Sequence, residues 1–511
     1  MNVEAAQILQ QLAARGVQVN GLATDTRALE RGDVFLAWPG SRDDGRRHVD
    51  AALAAGAAAV LWEREGFEWP AGDVVPNLPV ADLRNLAGHL AHEVYGRPSE
   101  KLWTIGVTGT NGKTSCSQWL AQACTDSGAR TAVIGTLGIG FPGELGTARF
   151  GSAPNTTPDP VVLHRALAQL LAAGGQGVTM EVSSIGLDQG RVNGVAFGAA
   201  LFTNLSRDHL DYHGDMENYA RAKQRLFHAP GLRHAIVNLD DVQGVQIARM
   251  LAGGTVNRAG YSSHEGVALC AGLECWIEAH DIDLTASGMR FTVRSSWGEA
   301  QLKTSLLGRF NLSNLLGVLG TMLVSGVPFE RATAALGHLQ PVVGRMQRFG
   351  GERADGMRRP LAVVDYAHTP DALEQTLVAL KEVSRASGGK LVCLFGCGGE
   401  RDRGKRALMG AVAARHADRI VLTSDNPRGE DPRVILGDIE SGLGQAYGQD
   451  ASPLVEPDRA AAIRAAVLGA AAGDVVLIAG KGHEDYQEVG GVKRPFSDAL
   501  EAQSALRDWK A

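Results

Sequence analysis

A chain of 511 residues with 44% hydrophobic and 21% charged residues carries apolar material for roughly three packed domains, which excludes a disordered or fibrous protein. Its formal charge of −6 gives no support for a nucleic-acid binder, and no apolar run reaches the length that spans a bilayer. The opening Met-Asn-Val-Glu-Ala-Ala-Gln lacks a basic-then-apolar leader, so the cytoplasm is the expected location. Residues 1–97 read as a small α/β domain. A polar turn, Thr24-Asp-Thr-Arg27, precedes a strand over Asp33–Trp38. A long turn from Pro39 to Gly45 leads to a helix over His48–Ala55, and Tyr95-Gly-Arg-Pro-Ser99 reads as a linker.

The second segment, 98–339, opens on Leu102-Trp-Thr-Ile-Gly-Val-Thr-Gly-Thr-Asn-Gly-Lys-Thr-Ser115. Ile105 and Val107 fit a buried strand, Gly109, Asn111 and Gly112 a loop, and Lys113 and Thr114 the start of a helix. Such a corner cradles phosphate. Loop N–H groups face the anion, the helix N-terminus adds positive charge, Lys113 reaches the outer phosphates and Thr114 offers a hydroxyl to Mg²⁺. The strict P-loop pattern wants glycine at Val107, so the stretch points to a particular subclass. Strands over Thr131–Ile134, Val178–Val182, Ala199–Phe202 and Ala235–Val237 alternate with helices, which predicts a mostly parallel sheet covered on both faces. Between Ile282 and Leu306 the pattern becomes an antiparallel meander, before a helix over Phe310–Leu323.

The third segment, 340–511, returns to strand–helix alternation, as in a Rossmann-like sheet. Strands over Leu361–Asp365, Leu391–Phe395, Arg419–Thr423 and Asp474–Ile478 are each followed by a polar loop. Ligands of open α/β sheets bind at the carboxyl ends of strands, so these four loops predict a second binding face. The fold class is therefore α/β in three domains.

Several side chains in these loops carry chemistry. Glu181 ends a strand, where a carboxylate paired with Thr114 suits a Mg²⁺, or equally a helix cap. Asp208, His209, Asp211 and His213 crowd into six residues, which fits either a cation site or a polar helix start. Asp365, His368 and Arg345 lie in loop positions that suit a nucleotide held between domains, or equally ordinary polar loops. Asp425-Asn-Pro-Arg428 is a stiff loop with acceptors and an Arg fork, suited to a ligand bearing both ammonium and carboxylate, or to a turn that caps the helix from Arg433. Only ten of the 50 basic residues are lysines, and Lys113, Lys223 and Lys481 fall in motif-like stretches. Unlike arginine, lysine can lose its proton and be modified. The six cysteines make no Cys-x-x-Cys pair and read as buried free thiols.

Gly109-Thr-Asn-Gly-Lys-Thr114, Glu181-Val-Ser-Ser184, Asn204 with Asp208-His-Leu-Asp-Tyr-His-Gly214, Gly344-Arg-Met346, Asp365-Tyr-Ala-His-Thr-Pro370 and Gly480-Lys-Gly-His-Glu484 occur in order. This pattern resembles the Mur ligase family over nearly the whole chain, and Val107 is normal there. The resemblance is strongest to the tripeptide-forming branch, and it implies an ADP-forming acid–amino-acid ligase of peptidoglycan precursor synthesis. Its expected substrates are ATP, UDP-MurNAc-L-Ala-D-Glu and meso-diaminopimelate. The D-Glu γ-carboxylate would form an acyl phosphate, which the amine then attacks. It also implies Mg²⁺ as cofactor, no nucleic-acid partner, no membrane insertion and a monomer. The first domain would hold the UDP end, the second ATP and the third the amino acid.

Residue roles follow from the same resemblance. Thr114 and Glu181 would bind one Mg²⁺ and His209 would help with a second. Lys223 matches a carbamylated lysine, N6-carboxylysine, whose new carboxylate is a metal ligand; Lys113, Lys223 and His209 would be catalytic. ATP contacts would be Gly109, Thr110, Asn111, Gly112, Lys113, Thr114, Ser115, Asn311, Asn314, Arg345 and Asp365. Asn155, Thr156, Thr157, Ser183, Gln189 and Arg191 match the muramoyl-dipeptide contacts, and Thr24, Thr26, Ser41, Arg42 and Asp43 the UDP end. Diaminopimelate would meet Arg401, Asp425, Asn426, Pro427, Arg428, Gly480 and Glu484. An Arg fork pairs the second carboxylate of diaminopimelate and repels the bare ammonium of lysine. Ile185 departs from the family, which often has His there. Rival readings are the same ligase using L-lysine, a folate-polyglutamate ligase, a P-loop GTPase or kinase, and a nucleotide sensor without catalysis. A GTPase would carry Asn-Lys-x-Asp, and no Lys here follows an Asn.

Overall fold

Apolar runs alternate with helical stretches along the chain, and in the computed structural model they build three main sheets. The structure describes residues 2–40, 43–69, 75–145, 155–285, 287–352, 358–444 and 452–510. Ser41 and Arg42, expected at the UDP end, lie outside the described residues.

The first sheet is parallel, in the order Leu22–Ala23, Val34–Ala37, Ala59–Glu63, Asn77–Val80. Val34 to Ala37 are all buried, so this strand reads as a continuous apolar run. The helix expected over His48–Ala55 is split. Asp44 accepts from Arg46 N and caps a tighter 3₁₀ turn, Gly45–His48, and the α-helix is Val49–Ala54.

The second sheet has ten strands among the described residues. Trp103–Thr108 sits near its middle, between Gly177–Glu181 and Ala199–Phe202, all parallel. Helices cover both faces and form two apolar cores, one under Trp119 and one under Phe202. The meander begins at Cys275, earlier than the alternation predicts. Cys275–Thr285 pairs parallel with Asn257–Ser262 over its first half, and antiparallel with Gly288–Ser295. Its first half is largely buried on both faces and does not alternate, whereas Asp281 to Thr285 do. The third sheet runs Gln347–Glu352, Arg358–Asp365, Val475–Ala479, Leu391–Phe395, Arg419–Leu422, Leu454–Val455, and all pairs after the first are parallel.

Of the cysteines, Cys116, Cys124, Cys393 and Cys397 are buried free thiols, but Cys270 is exposed and Cys275 partly so, which corrects the uniform expectation. Among the described residues, no helix is long and apolar enough to cross a membrane.

Helix Leu83–Val94 packs on helix Pro160–Ala172, and on its Gly88 a Cβ would lie 2.2 Å from the carbonyl of Asn193, in the turn that closes the same seam. His164 is sealed in this seam. Its Nε2 donates to Asn193 O at 2.9 Å, its Nδ1 has no partner, and burial pushes its pKa down to about 3. An unfolded His takes a proton near pH 6.5, whereas native His164 stays neutral to about pH 3. Stability is therefore lost as pH falls through that window, at up to about 1.4 kcal/mol per pH unit for this one group. His164→Gln keeps a donor for Asn193 and removes the titration. Urea unfolding between pH 4 and 7 is expected to show a shallower pH slope in this variant; an equal slope would mean that His164 does not titrate this way.

Candidate functional site

The carboxyl ends of the second and third sheets face each other across one cleft of about 1430 Å³. One wall is built on Trp103–Thr108. Gly109 leaves this strand at φ +154°, where a Cβ would lie 1.9 Å from Thr203 Oγ1, and Gly112 sits at +87°, with its Cβ position 2.5 Å from Asn314 Oδ1. Only glycine fits either place, and the loop turns directly into helix Lys113–Asp126. Thr203 Oγ1 donates to Asn111 O at 2.6 Å and Asn204 Oδ1 accepts from Asn111 N at 2.9 Å, which fixes the loop from the next strand end.

Lys113 Nζ folds over the loop, donating to Gly109 O and Thr110 O at 2.9 Å each. Burial lowers its pKa, opposed by Glu181 and Asp208 and reinforced by Arg345. Thr114 Oγ1 donates to Glu181 Oε2 at 2.9 Å, and Thr136 donates to the same carboxylate through N at 2.8 Å and Oγ1 at 3.2 Å. Glu181 is thus a strand-end carboxylate aimed at the helix N-terminus. Asn155 and Thr156 line the cleft beside it, and Thr157, buried behind them, bonds to Ser183 Oγ and to the Glu181 carbonyl. Arg191 grips Gln189 and donates to Thr157 O.

Lys223, a solvated position by helix composition alone, is 1% exposed. Its Nζ donates to Gly109 O at 2.7 Å and lies 4.4 Å from the Tyr219 ring centroid. Burial, then the charge of Lys113, push its pKa well below the usual lysine range despite Asp208. His209 holds a left-handed backbone at φ +53° and projects into the cleft; of the two histidines in its run, this one lines the cavity. Burial and repulsion from Lys113 and Lys223 lower its pKa to about 4, against the pull of Asp208. His213 instead bonds to Ser184 Oγ at 3.0 Å, next to Ile185, whose side chain brings no polar group to the cleft.

The facing wall comes from the third sheet. Asp365 is buried and accepts from Met346 N at 2.7 Å and Ala367 N at 2.8 Å; burial raises its pKa in spite of Arg345 and these bonds. The Arg345 guanidinium lies 4.2 Å from the Tyr366 ring centroid and donates to Thr114 Oγ1 at 3.0 Å. Asn426 Nδ2 donates to Glu484 Oε2 at 2.8 Å, and Lys481 Nζ donates to both side chains at 3.0 and 2.7 Å. Arg428 takes φ +52°; its N donates to Glu488 O and its carbonyl accepts from Gly490 N, so the hairpin Tyr486–Val489 and Val492–Pro495 clamps it. Its Nη1 donates to Gly399 O at 2.8 Å, and Arg401 lines the cleft nearby.

Ties that cross the cleft include Arg345 to Thr114, Asn111 Nδ2 to Asp371 Oδ2 at 3.0 Å, Arg207 to Asp402 at 3.1 Å, and His368 to Asp208 at 3.6 Å. Burial works against the charge on Asp208, yet His368, His209 and Lys405 outweigh it and hold its carboxyl well below the usual range.

The cleft therefore gathers most of the expected phosphate, metal and amino-acid residues, including Ser115, Asn311 and Asn314, with Asp425 and Gly480 beside the amino-acid loops. Gly109 and Pro427 shape it through their backbones. It does not gather Thr24, Thr26 and Asp43, which belong to loops of the first sheet. Thr24 bonds to Asp159, Thr26 opens a 3₁₀ turn and Asp43 pairs with His48 at 2.7 Å. Thr136 and Asp371 were not singled out from sequence. The one signal for Thr136 is its position directly after a strand, and for Asp371 its place in the first turn of helix Pro370–Ala386.

Three family descriptions match in order: Mur ligase family, catalytic domain, at residues 18–95; Mur ligase middle domain at 107–322; and Mur ligase, glutamate ligase domain, at 344–482. A relative from Chromobacterium violaceum, named UDP-N-acetylmuramoyl-L-alanyl-D-glutamate--2,6-diaminopimelate ligase, is 49% identical, with 98% of this chain and 96% of the relative covered. One of the same name from Ralstonia nicotianae is 50% identical with the same coverage. A solved structure titled as that ligase superposes with a TM-score of 0.65 at 36% identity, covering 96% of this chain and 95% of the other. Identity near one half over 98% of its length leaves one conclusion: the chain belongs to the Mur ligase family.

Proposed function

We propose that this chain is an ATP-dependent, ADP-forming ligase that joins meso-diaminopimelate to the D-Glu γ-carboxylate of UDP-MurNAc-L-Ala-D-Glu, a step of peptidoglycan precursor synthesis. The observation that carries this reading is the meeting of the Lys113 cradle and the Arg428 and Glu484 loops in one cleft. The names of the relatives support the same reaction. Residues 1–97 take the UDP end, 98–339 ATP and 340–511 the amino acid. On this reading the enzyme works in the cytoplasm as a monomer.

The loop N–H groups from Gly109 to Ser115 and Lys113 hold the ATP phosphates, with Asn311, Asn314, Arg345 and Asp365 around the rest of the nucleotide. Asn155, Thr156, Thr157, Ser183, Gln189 and Arg191 orient the dipeptide, and Thr24, Thr26, Ser41, Arg42 and Asp43 serve its UDP end. The residues present fit Mg²⁺. Thr114 and Glu181 offer hard oxygens 2.9 Å apart, His209 stays neutral down to about pH 4, and a carbamate on Lys223 adds a carboxylate. When bound, Mg²⁺ supplies charge neutralisation between carboxylate and triphosphate.

In the first step a γ-carboxylate oxygen attacks the γ-phosphorus, the bond to the ADP oxygen breaks, and an acyl phosphate forms. In the second the diaminopimelate amine attacks the acyl carbon, the C–O bond breaks, and phosphate leaves as the amine gives up a proton. Lys113 offsets negative charge that grows in the first step. Arg401, Arg428 and Glu484, with Asp425, Asn426, Pro427 and Gly480, fix the carboxylates and ammonium of diaminopimelate, so that the attacking nitrogen is presented to the acyl carbon.

Phosphate release with ATP and UDP-MurNAc-L-Ala-D-Glu tests this reading. Release is expected with meso-diaminopimelate and not with L-lysine. Release with lysine alone would move the chain to the lysine-using activity, and no release with either would leave a nucleotide-binding module without this catalysis.

A further inference from the structure

The third sheet holds a buried ion pair that no step above uses. Arg459, the first residue of helix Arg459–Leu468, is 1% exposed, and Asp498, the first residue of helix Asp498–Asp508, is fully buried. The pair is bidentate, Nε to Oδ1 and Nη2 to Oδ2, at 2.7 Å each. The same guanidinium donates through Nη1 to Ser424 O at 3.2 Å and through Nη2 to Ala479 O at 3.0 Å. Neither residue lines the cleft.

The two carbonyls are what make this pair informative. Ser424 immediately precedes Asp425, and Ala479 immediately precedes Gly480. They leave strands Arg419–Leu422 and Val475–Ala479, which are not neighbours, because Leu391–Phe395 lies between them. No ladder bond can therefore fix the distance between the two loops. A planar fork with donors on three nitrogens can, and Asp498 locks the fork's orientation. In front of it, the same two loops carry Asn426 and Glu484, bonded to each other at 2.8 Å.

We propose that Arg459, held by Asp498, is a positioning residue that sets the separation of the Asp425 and Gly480 loops and so the fit of the amino-acid substrate. This rests on the ligase reading above, in which those loops take diaminopimelate. Arg459→Lys keeps the charge but gathers its donors on one nitrogen and cannot span both carbonyls. Asp498→Asn keeps the shape and releases the orientation.

Arg464 and Asp508 provide a control, because they join the same two helices at 2.6 Å through an exposed pair that touches neither loop. Arg459→Lys, Asp498→Asn and Arg464→Ala are compared with wild type by phosphate release, reading KM for each of the three substrates. The first two are expected to raise the diaminopimelate KM about tenfold or more while leaving the KM of ATP and of the UDP-dipeptide within about twofold, since displacing a supporting shell misplaces the groups in front of it. Arg464→Ala is expected to change none. An unchanged diaminopimelate KM, or a parallel rise in all three, overturns the proposal. Should Arg459→Lys not fold, Asp498→Asn decides, and failure of both to fold reduces the pair to a stability element and overturns it too. Absence of wild-type release with diaminopimelate would sink the ligase reading instead, which keeps the two failures apart.

Discussion

Lys223→Ala is expected to lower turnover by on the order of 10³-fold, about 4 kcal/mol of barrier, with partial recovery on adding short carboxylates such as formate or acetate. The physical reason is the environment of its amine. Burial and Lys113 favour the uncharged form, and Nζ sits 2.7 Å from the Gly109 carbonyl, beside the phosphate loop. An uncharged amine is the nucleophile that adds to CO₂: a C–N bond forms, a proton leaves, and the tip becomes a carbamate anion. A buried ammonium beside Lys113 would set two cations together, with burial outweighing the pull of Asp208, whereas a carbamate would turn the tip into a metal-binding carboxylate. Initial rates of phosphate release with and without added carboxylate check this. Wild-type rates in the variant without additives would rule out the carbamate role.

Arg428→Ala is expected to raise the diaminopimelate KM by on the order of 10²-fold and to leave the ATP KM nearly unchanged, because on the proposed reading it removes one side of a charge-assisted contact and leaves a ligand carboxylate unpaired. The selectivity follows from position. Arg428 lies at the end of the third sheet's loops, held by Glu488 O and Gly399 O, whereas the phosphate cradle is built on the second sheet. Substrate-saturation curves for both ligands separate the two effects. An unchanged diaminopimelate KM would remove Arg428 from the recognition of that substrate.

Much of this site was legible in the sequence for a local reason. Phosphate binding needs a glycine loop at a strand–helix corner, and Gly109, Gly112, Lys113 and Thr114 must therefore stand close together in the chain. The buried strands were legible because parallel strands covered on both faces read as apolar runs, as in Leu391–Phe395, where all five residues are buried. Leu22–Ala23 and Leu454–Val455 have two residues each and carry too little pattern to find. The hairpin that clamps Arg428 is polar and partly or fully exposed along its length, so no apolar alternation marks it. Burial of Lys223 and Arg459 had no signal in local composition. Both lie on helices whose own faces do not dictate it, and the polar partners of both come from at least 20 residues away in sequence, at Gly109 for Lys223 and at Ser424, Ala479 and Asp498 for Arg459. Family likeness supplied Lys223, and only the three-dimensional arrangement supplied Arg459.

The ties across the cleft bear on how ligands get in. Thr114 Oγ1 already has two partners, Glu181 and Arg345, one from each wall. On the proposed reading, a nucleotide that reaches Thr114 from between the walls parts contacts that the protein makes with itself. Its net affinity is lower than its gross contacts by the free energy of that parting. Where parting is slower than encounter, the observed association rate levels off with rising ligand concentration, at the rate at which the two walls separate.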